Sequence, residues 1–438
     1  MLRGLVKKII LAMVPQIRRL KEERDACYQS LSNLSGSQGE LNTDDDWRAK
    51  FEILDKQVKE GVLRNLYMHS FPTKVKAATG EFPPEPSAPT SDTVKFAERL
   101  ALVYFREEEH KSEQLFDKDA GIWNLFLENH KEIVDLFAGN KFIETASYLD
   151  IMARTPLTHG FAMGKFGVDT FKLNPEGPRL FWSHSLDRLL SLSEAFGTVS
   201  VENPEQGDWG KLASLLPDDL LGLIENRLCR EVQFPSFNGG LWGLKTSRGL
   251  MTAWDPQSLY VANRLIEICG GAMPDRIGEI GAGMGHCAFQ AIKAGCEDYT
   301  IFDLPTVNIA QSWFLMRNFI DNPLILSDAD DPFSIQPAIR VLSTRRFAEV
   351  PNNYFDVVIN TDSLPEMSEE VALSYLRGLR GKTRYFLSIN HEARSPRSSK
   401  ESHGRVFDLA EKSGGYKRLL RAPYWLRKGY IEELYKVA

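Results

Sequence analysis

Glu279, three alternating glycines (Gly281, Gly283 and Gly285) and Asp303 have the types and spacing of a ligand site. They lie in "DRIGEIGAGMGHCAF" and "YTIFDLPTV". Each segment is a short apolar run leading through a turn to a helical pattern. Glycine at such a turn permits positive φ and removes the Cβ atoms that would hold a ligand off the backbone. An acid at the end of the next strand, about twenty residues on, stands where it can accept both hydroxyls of a ribose. The dinucleotide pattern G-x-G-x-x-G requires a third glycine where this chain has His286. A phosphate loop requires Lys-Ser or Lys-Thr after its last glycine, and neither follows. A ligand with positive charge in place of phosphate suits Glu279 better. S-adenosylmethionine, with its sulfonium, amino group and ribose diol, is such a ligand. Asp303 alone reads equally as a loop acid or as an N-cap, a role open to Thr306 too; the glycines tip it toward a cofactor site.

These residues need a sheet to position them. Apolar runs at 276–280, 299–303, 354–360 and 383–390, with a weaker one in "AIRVLS", alternate with the helical repeats "HCAFQAIKAG", "VNIAQSWFLMRNF" and "EEVALSYLRGL". Ser368 is a good N-cap for the last. This alternation predicts a parallel sheet covered on both faces. "YKRLLRAPYW" and "GYIEELYKV" follow with no helix between them, which implies an antiparallel strand at the end. Upstream, residues 93–233 repeat apolar side chains at helical steps, and Gly197 is a plausible C-cap. Residues 79–92 form a proline-rich linker, and residues 1–78 a helical, amphipathic segment interrupted near Pro15. The α/β domain is expected over residues 234–438.

"EIGAGMG" followed by "FDLPTV" resembles the class I S-adenosylmethionine-dependent methyltransferases. With "SLSEAFGTVSVENPEQG", "FDVVINTDSLPEM" and "INHEA", residues 180–438 resemble the sugar O-methyltransferase family. The resemblance implies a Rossmann-like, seven-stranded methyltransferase sheet with its last strand antiparallel, preceded by a helical domain. It implies that Glu279, Gly281, Gly283 and Gly285 line the methionine part, that Asp303 binds the ribose and that Leu304 packs near the adenine. The polar residue that meets the adenine after the third strand is either in "SDADD" (327–331) or Ser343.

The acceptor is expected at the loops after the fourth and fifth strands, "NTDSLPEM" and "NHEARSP". Asn360 is assigned to the cofactor. Methyl transfer to a hydroxyl needs alignment and removal of one proton. His391 is the first choice of base, because imidazole titrates near neutrality. Asp362 is a second, or holds the methionine amine; Glu366 is a third, or a loop acid. Trp242 and Trp254 are placed to stack on a sugar, and Lys245, Arg248, Arg394 and Arg397 to meet a phosphate or carboxylate. Those charges read equally as solvated loop residues. No set of ligands has clear metal spacing, and a divalent metal is left open.

The net charge of −6 over 438 residues disfavours a nucleic-acid binder. Five scattered cysteines without a CxxC pair fit a reducing, cytoplasmic setting. No apolar run reaches the ~20 residues of a membrane span. The N-terminal stripe reads as a packing or homo-oligomer helix, with peripheral membrane contact through Lys7, Lys8, Arg18 and Arg19 as the lesser reading. The sequence therefore points to an O-methyltransferase with a sugar or glycoconjugate substrate. The alternatives are transfer to another small-molecule hydroxyl or amine, and a methyltransferase fold that only binds.

Overall fold

The computed structural model describes residues 80–110, 123, 127–173, 177–207, 211–392 and 404–438, all within one compact unit, Thr73–Ala438. The expectations for residues 1–78, Arg394 and Arg397 lie outside the described residues.

Helices dominate the first half: α1 (Ser91–Glu109), α2 (Lys131–Ala138), α3 (Phe142–Asp150), α4 (Gly164–Leu173), α5 (Gly177–Ala195) and α6 (Pro217–Leu228). Thr90 and Thr93 close α1 with a capping box, each hydroxyl accepting from the other residue's amide. The glycine-rich stretch after α6 contains a short antiparallel hairpin, β1 (Leu244–Thr246) and β2 (Gly249–Met251). Helix α7 (Asp255–Ile268) then leads into the sheet.

The sheet comprises β3 (Arg276–Ile280), β4 (Asp298–Asp303), β5 (Leu324–Leu326), β6 (Ile339–Ser343), β7 (Phe355–Thr361), β8 (Thr383–His391), β9 (Tyr416–Pro423) and β10 (Tyr430–Val437). Their order is β5-β6-β4-β3-β7-β8-β10-β9. Six strands run parallel, and β10 lies antiparallel between β8 and β9. Among the described residues the sheet has eight strands where seven were expected. The extra strand, β5, is a three-residue edge piece too short to show as an apolar run. Helices α8 (His286–Lys293), α9 (Pro305–Asn318), α10 (Glu369–Leu379) and α11 (Val406–Ser413) cover the sheet. Ser368 caps α10 by accepting from Val371 N.

Strands β3 and β4 are buried on both faces, as expected of central parallel strands. On one face, Ile280, Phe302, Leu342, Phe355, Val358 and Phe386 pack against α10, α11 and the turn holding Phe347. The strand order reverses between β3 and β7, which leaves a crevice at their carboxyl ends. A buried ion pair ties β4 to β6 below it. Arg340, fully buried, donates to Asp298 Oδ1 at 2.6 Å and to Pro332 O at 2.6 Å. Asp298→Ala strands that guanidinium, so unfolding in urea should show a loss of about 3–5 kcal/mol.

Among the described residues no helix is long and apolar enough to cross a membrane.

Candidate active site

The turn after β3 is built from positive φ: +70° at Gly281, +57° at Gly283 and +94° at Gly285. Gly281 N donates to Phe302 O at 3.0 Å, and Gly285 N to Ala282 O at 2.9 Å. Helix α8 starts directly after Gly285, so the turn's amides sit at a helix N-terminus. A Cβ on Gly281 would collide with Ser363 Oγ, which donates to Ile280 O and accepts from Asn360 Nδ2. Gly281→Ala therefore combines left-handed strain of about 1–2 kcal/mol with a displaced loop. The expected result is a lower Tm and loss of cofactor binding, read by thermal melt and calorimetry.

Asp303 closes the turn from β4. Its Oδ2 accepts from Ala282 N at 3.0 Å and Gln311 Nε2 at 2.6 Å, and its Oδ1 from Leu304 N at 2.8 Å. Burial pushes its carboxyl up to about 6 against these amides, which favour the charged form. Glu279, in β3 two residues before Gly281, is 1% exposed. Tyr299 OH donates to its Oε2 at 2.8 Å, while its Oε1 is buried without a hydrogen-bond partner. Burial, with Asp303 nearby, pushes Glu279 up to about 7. A buried carboxylate oxygen with no donor suits a ligand that brings an ammonium. His286, between Trp254 and Phe314 at ring distances of 6.2 and 5.1 Å, is held by burial at about 4 and stays neutral.

Side chains from the helical half reach over this crevice. Phe161 lies against Gly283, 3.5 Å from where a Cβ would stand. Trp123 packs on Phe161 at 6.1 Å and donates from Nε1 to Glu366 Oε2 at 3.1 Å. His130 Nδ1 and Thr306 Oγ1 are 2.7 Å apart, so Thr306 contacts the helical half and does not cap α9, whose N-cap is Leu304. At the end of β6, Ser343 pairs in register with Asp303. In "SDADD", Asp328 and Asp330 pair with Arg99 and Arg106 of α1. The Ser343 hydroxyl, however, is buried and donates to Glu107 of α1, which also binds Arg345 at 2.6 Å.

The three candidate bases come together. Asp362 adopts φ +69° directly after β7 and pairs with Arg427. Arg427 lies 3.7 Å over the Tyr430 ring and donates to its hydroxyl. Tyr430 faces His391 across the β8–β10 pair, with ring centroids 5.8 Å apart. Glu366, shielded from water and near Asp362, is pushed up to about 8. Arg188 and His184 of α5 approach from the helical side and are buried; burial and the neighbouring Arg188 and Arg427 keep His184 neutral.

Several expected contacts are corrected. Trp242 is 1% exposed, packed against Phe82 and Phe181, and cannot stack on a substrate. Lys245 pairs with Glu81 on the hairpin, and Arg248 with Asp218 and Glu225. Asn360 is fully buried; it donates to Ile280 O and accepts from Asn390 Nδ2 and Leu364 N, so it braces the loop from below. Trp254, half-buried beside His286 and Phe181, stays near the crevice. The sequence reading missed Arg188, Arg427, Tyr430, Trp123 and Glu107. The one visible signal was His184 and Arg188, four residues apart and so on one face of a helix. Among the described residues no cluster of three or more His, Cys, Asp or Glu is placed to hold a metal.

No family model matches this chain, and no curated protein does. Solved structures similar to it include the glycopeptide N-methyltransferase MtfA, at 16% identity over 41% of this chain and 90% of that one, TM-score 0.31. An S-adenosylmethionine-dependent methyltransferase from Aquifex aeolicus gives 13%, 41%, 92% and 0.30. The magnesium protoporphyrin IX methyltransferase of Synechocystis gives 12%, 41%, 77% and 0.29. Likeness at this level establishes neither family nor activity.

Proposed function

We propose that the chain is an S-adenosylmethionine-dependent O-methyltransferase acting on a hydroxyl of a sugar or glycoconjugate. The observation that carries this reading is Asp303, held by the Ala282 amide at the C-terminal edge of neighbouring parallel strands. Asp303 presents a carboxylate to a ribose, Leu304 an apolar side chain to a base, and Glu279 an unpaired oxygen to an ammonium. The cofactor supplies an activated methyl on a sulfonium. The protein must then align an acceptor oxygen and accept its proton.

Glu366 is the proposed base. Its carboxyl is shifted toward the working pH, where a base is most effective. Asp362, tied to Arg427, is better suited to orient the acceptor, and His391 with Tyr430 lines the far wall. A polar cleft of tyrosine, histidine, arginine and carboxylate suits a hydroxyl-rich acceptor and supports the sugar reading taken from the sequence.

Calorimetry with S-adenosylmethionine, S-adenosylhomocysteine and NAD tests the cofactor. Saturable binding of the first two and none of NAD is expected. Absence of binding by both would reduce the chain to a fold without this activity. Transfer of labelled methyl to a panel of sugars, with and without EDTA, then tests the acceptor and the need for metal.

A further inference from the structure

Helix α9 turns two amide side chains toward the end of β4. Asn308 and Gln311 are three residues apart, on one face of the helix. Asn308 Nδ2 donates to Asp303 O at 3.4 Å, and Gln311 Nε2 donates to Asp303 Oδ2 at 2.6 Å. One amide thus holds the backbone of Asp303, the other its carboxylate. Gln311 is fully buried, whereas Asp303 is half-buried. A ligand in the crevice therefore feels Gln311 only through Asp303.

The orientation of the Gln311 amide is forced. An ionised carboxylate only accepts hydrogen bonds, so the NH2 group must face Asp303 and the oxygen must turn away. That oxygen is buried without a hydrogen-bond partner among the described residues. Leaving a polar atom in that state is destabilising. A methionine of similar length would fill the same space without the penalty. Packing alone thus gives no reason for a glutamine here; the bond to Asp303 does.

The other donors to this carboxylate are backbone amides. Burial raises the carboxyl, and the Leu304 amide, Gln311, the Ala282 amide and the Gly283 amide oppose that rise. Gln311 is the one side chain among these four. The titratable groups around Asp303 do not support its charge. Burial and the charge of Asp303 together raise the Glu279 carboxyl on β3 and the Tyr375 phenol on α10, and neither group brings a positive charge. His130, beyond Thr306, is kept neutral by burial. Arg345, beyond Ser343, is already matched by Glu107.

We propose that Gln311 is a positioning residue for cofactor binding, which keeps the Asp303 carboxylate ionised and turned toward the ribose. The word ribose rests on the methyltransferase reading; the bond between Gln311 and Asp303 does not.

The test compares the full chain with its Gln311→Met variant. Calorimetry with S-adenosylhomocysteine from pH 5 to pH 9 reads affinity. NMR of the chain carrying 13C at its aspartate carboxyls reads Asp303 directly, with Asp303→Asn assigning the signal. Loss of one hydrogen bond to a charged group should move the Asp303 titration, and the pH at which affinity falls, upward together by about one to two pH units. Affinity should drop about tenfold at pH 7 and return toward wild type by pH 9. Should Gln311→Met not fold, Gln311→Glu carries the test. A second carboxyl there must share a proton with Asp303, so affinity should fall as pH rises, the reverse of the wild type. Wild-type affinity in Gln311→Met, an unmoved Asp303 titration, or a loss of affinity equal at every pH overturns the proposal, the last being the mark of a merely structural role. An Asp303 titration that moves in a protein blind to S-adenosylhomocysteine overturns the methyltransferase reading and leaves the pairing of Gln311 with Asp303 standing.

Discussion

Asp303→Ala should weaken S-adenosylmethionine binding by about 10²- to 10⁴-fold. Hydrogen bonds to a charged acceptor contribute about 1.5–3 kcal/mol each, and a ribose offers two hydroxyls. At 1.4 kcal/mol per tenfold, two such bonds give that range. The same substitution frees the Ala282 amide and the Gln311 side chain, so the turn loses its lock as well as its ligand contact. Asp303→Asn preserves the shape and should fall between the two. A pH series makes the point independently. Because Asp303 is raised to about 6, affinity should fall as pH drops through that value and the carboxyl becomes protonated. Calorimetry at pH 8 and pH 5 reads both effects. A change of less than about threefold in Asp303→Ala would remove the residue from the ribose site.

Glu366→Gln should lower kcat by about 10²- to 10⁴-fold while cofactor affinity stays near wild type. Glutamine keeps an acceptor for Trp123 Nε1 and cannot take a proton. In the wild type, turnover should rise with pH through about 8 and then level, since the ionised carboxylate is the active form. The same shift leaves a mark on stability. The folded state holds this proton between the ordinary carboxylate range and about 8, whereas the unfolded chain has released it. This group's contribution to stability is therefore full only below the ordinary carboxylate range and declines steadily as pH rises from there to about 8. If Glu366→Gln keeps wild-type turnover and His391→Ala does not, the base is His391. If neither matters, the acceptor is deprotonated elsewhere.

Most of the sheet was legible because central parallel strands are apolar on both faces. "RIGEI" and "YTIFD" announced themselves, and the turn between β3 and α8 places its three alternating glycines at positive φ. The β5 edge strand was not legible, since three residues carry no periodicity. Local pattern also fails where a side chain's neighbour comes from far away. Trp242 and Lys245 look like a sugar platform in sequence, yet Phe82 and Glu81, more than 150 residues earlier, occupy them. Arg427 sits among ordinary charged turn residues in "WLRKGY", and only the placement of β10 between β8 and β9 brings it to Asp362. Asn360 misled in another way: it lies at the right end of the right strand but points into the support of the loop.

The contacts of Phe161, Trp123 and His130 over the crevice set a clock as well as a boundary. A ligand on the glycine turn would lie between these side chains and Asp303, so it exchanges only when they part. Two hydrogen bonds at about 1 kcal/mol each must be given up. Their sum, about 2 kcal/mol, leaves roughly one molecule in thirty open at any instant. The spent cofactor's residence time would then follow the frequency of opening, and the first turnover would outrun those that follow.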